Sequence, residues 1–214
     1  MGRPHSFKLT YFDLPARCEP IRILFHYLNQ DFEDVRVTSE YFSPLLIETL
    51  MEQLPILEID GGRKTIPQSF AIMRYLAKTL GAEGFAGKTK TDSAMVDAFV
   101  YACHDLYSPI ALYTQAIAGK AEIISVEGTT KLFTESTQRF LRSVEKQLKS
   151  HGLDYIVQYI TWADIIVMYM LYKLEQNAST IIVLLQYPLT LQYYKRMREL
   201  DEIKDYVAKN LPQK

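Results

Sequence analysis

A small α/β domain followed by an all-helical domain is the fold class this sequence predicts, and three observations predict it. Up to Gly81 strand and helix signals alternate in the order β-α-β-α-β-β-α. The stretch "GAEGFAGKTK" then interrupts the pattern with glycines and polar residues. Beyond it every periodic segment is helical and no strand pair follows. The predicted boundaries are 1–81 for the α/β domain, 82–89 for the linker and 90–214 for the helical domain.

Each element has a local reason. "SFKLTYF" is a first strand, rich in aromatic and β-compatible residues. "ARCEPIRILFHYLNQ" is a helix, with Ile21, Leu24, Phe25 and Leu28 at helical spacing. "FEDVRVT" alternates as a short strand, and "SPLLIETLM" is read as a short helix. "LPILEIDGGRKTI" is a hairpin turning on Asp60-Gly61-Gly62. "PQSFAIMRYLAKTLG" is a helix ending at Gly81. Helices are predicted over 91–118, 128–150, 161–177, 188–199 and 201–210. In "ITWADIIVMYML", Thr161 and Asp164 have the spacing of a capping box.

The chain has 214 residues, 23% of them charged, and a net charge of −1. No broad field is present to gather nucleic acid or an anionic membrane surface. Two cysteines, Cys18 and Cys103, lie far apart without CxxC or metal-ligand spacing, as suits a reducing compartment. The four histidines have no metal-ligand spacing either, so no metal site is predicted. "MGRPHSFKLTYF" has no long apolar run of signal-peptide type, and the greasiest stretches, "DIIVMYMLY" and "STIIVLLQY", are too short or interrupted to span a bilayer. A cytoplasmic protein is expected.

A phenol at the end of an apolar strand is more than a core needs. Tyr11 sits there, facing a helix N-terminus, where its hydroxyl can donate to an anion. A donor that bonds only the thiolate lowers a thiol pKa from about 8.5, and a drop of two units requires roughly 2.7 kcal/mol. Packing is the competing reading, since the chain has 15 tyrosines. Arg17 follows one turn later and adds positive potential, or is a solvated arginine at an electrostatically unfavourable helix start. Pro55 begins a strand, where its missing N–H is tolerated, and a cis bond there would present the Leu54 backbone to a peptide-like ligand. Gln68 and Ser69 begin a helix and are either a carboxylate site or a plain cap. Asp105 can meet a ligand ammonium or simply face solvent. Cys18 is an acidified first-turn thiol or a buried inert one.

The segments "KLTYFDLPARCEPIRILF", "FEDVRVT", "LPILEIDG", "QSFAIMRYLAK", "FAGKT", "VDAFV" and "TWAD", in that order, resemble a cytosolic glutathione transferase of the sigma type, including its nematode relatives. The resemblance is close over residues 7 to about 108 and looser beyond. It implies a thioredoxin-like N-terminal domain, a helical C-terminal domain, a homodimer and a role in detoxification. Glutathione is implied as co-substrate, with no further cofactor. Tyr11 falls on the tyrosine that stabilises the thiolate and Arg17 on the arginine that assists it. Leu54, before the expected cis Pro55, falls on the residue whose backbone pairs with the cysteinyl unit. Gln68 and Ser69 fall on the pair holding the γ-glutamyl carboxylate, and Gln53 on a residue contacting the glycyl end. Asp105 falls on the acid that reaches the partner subunit's glutathione, and Arg74 on a position used across the dimer.

The chain also departs from the family. Phe42 stands where tryptophan is usual, and Leu46 where a lysine often grips the glycyl carboxylate. The family's PFGQLP reads LMEQLP, with Met51 and Glu52 in place of Phe and Gly. Pro15-Ala16 replaces a common Arg-Gly, and "DYIVQYITWAD" lacks the glycine usual before the capping box. Without the cation, and with Glu52 nearby, glutathione affinity is expected to fall tenfold or more, since a charge-assisted hydrogen bond contributes about 1.5–3 kcal/mol. An electrophile site lined by Phe12, Leu14, Tyr107 and Leu112 is expected between the domains, and its apolar lining favours hydrophobic electrophiles. Two other readings stand beside the transferase. One is a binding or structural relative with weak or no turnover. The other is a thiol–disulfide reductase using Cys18.

Overall fold

The computed structural model describes residues 5–38, 49–119, 125–152, 154–177 and 183–212. The chain divides into two compact units, Met1–Ala86 and Gly87–Lys214. The first contains strand β1 (Phe7–Phe12), helix α1 (Glu19–Tyr27), strands β2 (Glu33–Val37), β3 (Ile56–Ile59) and β4 (Lys64–Pro67), and helix α2 (Ser69–Thr79). Most of the expected helix "SPLLIETLM" lies outside the described residues, as do Phe42 and Leu46.

The four strands lie in the order β2-β1-β3-β4, with β1 parallel to β2 and antiparallel to β3. Strand β1 is central, and four of its six residues are buried, as a strand covered on both faces requires. Thr10 pairs with Ile56, and Ile56 with Pro67. One step further, the same registers bring Tyr11, Pro55 and Gln68 level with one another across three strands. Three predicted site residues therefore form a row at one end of the sheet.

The hairpin turns through Asp60, Gly61 and Gly62, all at positive φ (54°, 70° and 84°), which only a glycine-rich turn tolerates readily. Helix α2 ends at Thr79 with Leu80 as C-cap, two residues short of the predicted end at Gly81. Gly81 has a packing reason. A Cβ there would lie 2.4 Å from the Ala77 carbonyl oxygen and 2.6 Å from the Phe85 ring.

Helix α1 is shorter than its periodicity predicts. Ala16 takes φ +34°, a left-handed conformation that no helix continues through, so the helix starts only after Cys18, its N-cap residue. Arg17 and Cys18 thus precede the first helical turn rather than occupy it. Pro20 fits the new start, where a missing N–H is harmless. At the far end Asn29 (φ +47°) donates its amide to the His26 carbonyl, and Gln30 donates to that of Phe25, which closes a Schellman motif.

The second unit contains α3 (Lys90–Ile117), α4 (Val126–His151), α5 (Trp162–Glu175), α6 (Pro188–Arg198) and α7 (Lys204–Asn210). Helix α5 is buried around most of its circumference, from Trp162 to Leu171 without interruption. Its apolar stretch is core, and no helix among the described residues is long and apolar enough to cross a membrane. Its start is the predicted capping box. The Thr161 amide and hydroxyl donate to one Asp164 oxygen at 2.7 and 2.9 Å. Ile156 N–H and the Tyr193 hydroxyl donate to the other at 2.9 and 3.0 Å. Helix α3 opens on a second box, Thr89 with Asp92, and contains Pro109, which cannot donate to the Asp105 carbonyl.

Candidate active site

Tyr11 is 6% exposed, and its hydroxyl accepts the backbone N–H of Arg17. Burial raises the phenol pKa. The Arg17 amide and the charges of Arg17 and Arg22 pull the other way, but the net shift is upward. The phenol therefore keeps its proton at neutral pH. With its oxygen already accepting from Arg17, it has one O–H left to donate. The Phe12 ring packs against it edge-on, with centroids 5.4 Å apart.

The turn beside Tyr11 is held by charges that periodicity does not reveal. Arg22 is 1% exposed. Its Nε donates to both Asp34 oxygens at 3.1 Å, and its Nη1 donates to Glu19 Oε2 at 3.0 Å and to the Leu14 carbonyl at 3.2 Å. Asp34 also accepts from Arg36 at 2.9 Å, and Arg36 in turn donates to Asp13 at 2.9 Å. Two arginines sharing one carboxylate thus fix Asp13 and Leu14, the residues that follow β1. The sequence signal was the Glu19-x-x-Arg22 pair inside an otherwise apolar helix.

Across the sheet end, the Leu54–Pro55 bond is cis. Gln68 sits at φ +71° as the N-cap residue of α2, without giving that helix a side-chain cap. Its Nε2 donates to Gln53 Oε1 at 3.1 Å, so the two amides expected to touch a ligand touch each other. Ser69, the first helical residue, is buried. Glu52 also has positive φ (+49°). Both Ala16 and Glu52 therefore hold a left-handed conformation at positions where the resemblance implies glycine.

The remaining predicted residues are described within their own units. Leu14 is exposed in the first. In the second, Tyr107 is buried and Leu112 half-buried on α3. The Asp105 side chain is largely exposed, 3.8 Å from His104, and borders a cavity of about 290 Å³ with Arg139 and Phe140.

Both cysteines are buried and unpaired. Burial raises the Cys18 thiol to about 12, against the pull of the nearby Arg22 charge. Buried and neutral at physiological pH, it is poorly suited to act as a nucleophile, which counts against the reductase reading. Among the described residues no group of three or more His, Cys, Asp or Glu side chains is placed to hold a metal ion.

A four-stranded α/β unit followed by a helical one, with Tyr11 at the sheet end, is the arrangement that the resemblance to glutathione transferases implies. Comparison with known proteins agrees. The family model for the N-terminal domain of glutathione S-transferase matches residues 7–78, and that for its C-terminal domain matches residues 104–210. Glutathione S-transferase 4 of Caenorhabditis elegans is 32% identical over 205 residues, which cover 95% of this chain and 96% of that one. Among solved structures, monomeric Na-GST-3, a glutathione S-transferase of the hookworm Necator americanus, superposes with a TM-score of 0.84 at 28% identity over 98% of each chain. A Nu-class glutathione S-transferase of Haemonchus contortus does so at 0.81 and 29% over 99% of each. The chain belongs to the glutathione S-transferase family.

Proposed function

We propose that this protein is a cytoplasmic glutathione transferase, sigma-like and of the nematode type, that ionises the glutathione thiol and directs it at hydrophobic electrophiles or peroxides. One observation carries the reading. A buried, protonated Tyr11 hydroxyl, its oxygen engaged by the Arg17 amide, has a single proton to give. Donated to a thiolate but not to a thiol, it lowers the thiol pKa. The thiolate then attacks the electrophilic carbon and displaces its leaving group, while the thiol proton passes to solvent. No covalent bond to the protein is needed, because orientation and ionisation suffice.

The other roles follow the resemblance. Arg17 adds positive potential. The Leu54 backbone before Pro55 pairs with the cysteinyl unit, Gln68 and Ser69 hold the γ-glutamyl carboxylate, and Gln53 contacts the glycyl end. Phe42 lines the same site. Phe12, Leu14, Tyr107 and Leu112 line the electrophile pocket. The protein acts as a homodimer in which Asp105 reaches the partner's glutathione. Residues 1–81 form the glutathione-binding domain, 82–89 the linker and 90–214 the helical domain.

Tyr11→Phe tests this. With a chlorodinitrobenzene substrate, kcat is expected to fall about 100-fold, the size of effect seen when one preorganised donor is removed, while KM for glutathione stays within about threefold. Unchanged turnover would remove Tyr11 from the chemistry. Glutathione binding without turnover in the unsubstituted protein would favour the carrier reading instead.

A further inference from the structure

We propose that Arg22, which touches neither reactant, is a positioning residue that holds the Asp13–Arg17 turn in the one shape that brings the Arg17 amide to the Tyr11 hydroxyl. The inference rests on the role proposed for Tyr11.

The turn is short and conformationally costly. Leu14 N–H donates back to the Phe12 carbonyl at 2.8 Å, and Cys18 and Glu19 amides both donate to that of Pro15, at 3.1 and 3.0 Å. Between them Ala16 sits at φ +34°, which a residue with a Cβ occupies only when its surroundings over-determine it. Arg17 is the next residue. Its amide direction is therefore set by the peptide that Ala16 strains.

Arg22 supplies the constraint. Its Nη1 grips the Leu14 carbonyl inside the turn, while its Nε is fixed on Asp34 of β2 and the same Nη1 on Glu19 of its own helix. Only a planar fork reaches three acceptors on three segments at once, and a lysine ammonium offers a single point. Nη2 is buried and has no hydrogen-bond partner among the described residues. The side chain is thus shaped for the Leu14 carbonyl and the two acids, and leaves one of its own donors unsatisfied. Arg36 grips Asp13 from the other side of Asp34, so the two ends of the clamp share one carboxylate. If the clamp loosens, Ala16 relaxes, the Arg17 amide turns away and the Tyr11 proton loses its aim.

Arg22→Lys separates this role from bulk charge and from stability, because it keeps the cation and removes the fork. The readouts are the thiolate absorbance of bound glutathione against pH, the pH profile of kcat/KM, and a thermal melt. The unsubstituted protein must first show a bound thiol ionising well below 8.5. If it does not, the Tyr11 reading fails before Arg22 is tested. Given that, Arg22→Lys is expected to raise the bound thiol pKa by about one unit, and to lower kcat/KM about tenfold at neutral pH with recovery at alkaline pH. KM for glutathione should stay within about threefold. An unmoved thiol pKa in a folded variant, or a loss of activity equal at every pH, would overturn the proposal. Should Arg22→Lys fail to fold, Asp34→Asn removes the charge that anchors the fork. It is expected to raise the thiol pKa in the same direction by a smaller amount, and no shift would overturn the proposal equally.

Discussion

Helix α2 in the first unit and helix α5 in the second begin in opposite ways. At α5 one buried carboxylate, Asp164, collects four donors, among them the amide and hydroxyl of the N-cap residue Thr161. At α2 the N-cap residue Gln68 is held at φ +71°, and its side chain turns to Gln53 rather than to the helix amides. A start that serves its own amides is built for stability. A start held in a disfavoured conformation, with its side chain turned elsewhere, suits the role proposed for Gln68 at a guest's carboxylate. The same chain uses both designs, and the difference marks which helix end belongs to the framework and which to the proposed glutathione site.

The comparison can be broken most forcefully at Asp164. Asp164→Asn leaves two buried donors facing an amide NH2 group in place of an acceptor and is expected to cost about 3 kcal/mol at pH 7, read by chemical denaturation, with little change in glutathione KM. The cost should depend on pH. Burial raises the Asp164 carboxyl to about 6, above its ordinary value of 3.8, so the folded chain binds this proton more tightly than the unfolded chain. The stability gained from that proton is fully present below about pH 4 and is lost as pH rises through about 6. The gap between wild type and Asp164→Asn should accordingly narrow over that window and level off above it.

Gln68→Gly should show the reverse pattern. Glycine accepts φ +71° without a Cβ penalty, so the variant is expected to be about 1 kcal/mol more stable. Its KM for glutathione should rise tenfold or more, because the proposed carboxylate anchor is gone. A variant that lost stability and bound glutathione normally would erase the distinction between the two helix starts. Thr89→Ala, at the exposed capping box of α3, sharpens the contrast with the smallest effect. About 1 kcal/mol of stability should be lost, with kcat and KM unmoved.

What could be read in the sequence depended on how local its cause was. The Asp60-Gly61-Gly62 hairpin and the Thr161–Asp164 box lie within four residues, and each announces itself. The start of α1 does not, because Ala16 carries a Cβ and its residue type does not announce a left-handed φ. Arg22 escaped for a related reason. Periodicity places an arginine on a solvated face, whereas this one is buried by acids 3 and 12 residues away. Tyr11 stood out by position alone, but its role, like those of Gln53, Leu54 and Ser69, came from the resemblance. The mutual hydrogen bond of Gln53 and Gln68 requires three-dimensional placement. The departures Ala16 and Glu52 are visible in sequence, and only the backbone shows that both keep the glycine-like angle.

The burial of Cys18 and Cys103 has a chemical corollary. A protein that brings a reactive sulfur together with alkylating agents is itself at risk of alkylation. Here both resident sulfurs are sealed from solvent, and Cys18 is held firmly in its protonated form, so the guest peptide carries the nucleophile and bears the damage. The conjugate leaves with the modified sulfur, and the catalyst remains chemically unmarked for the next cycle.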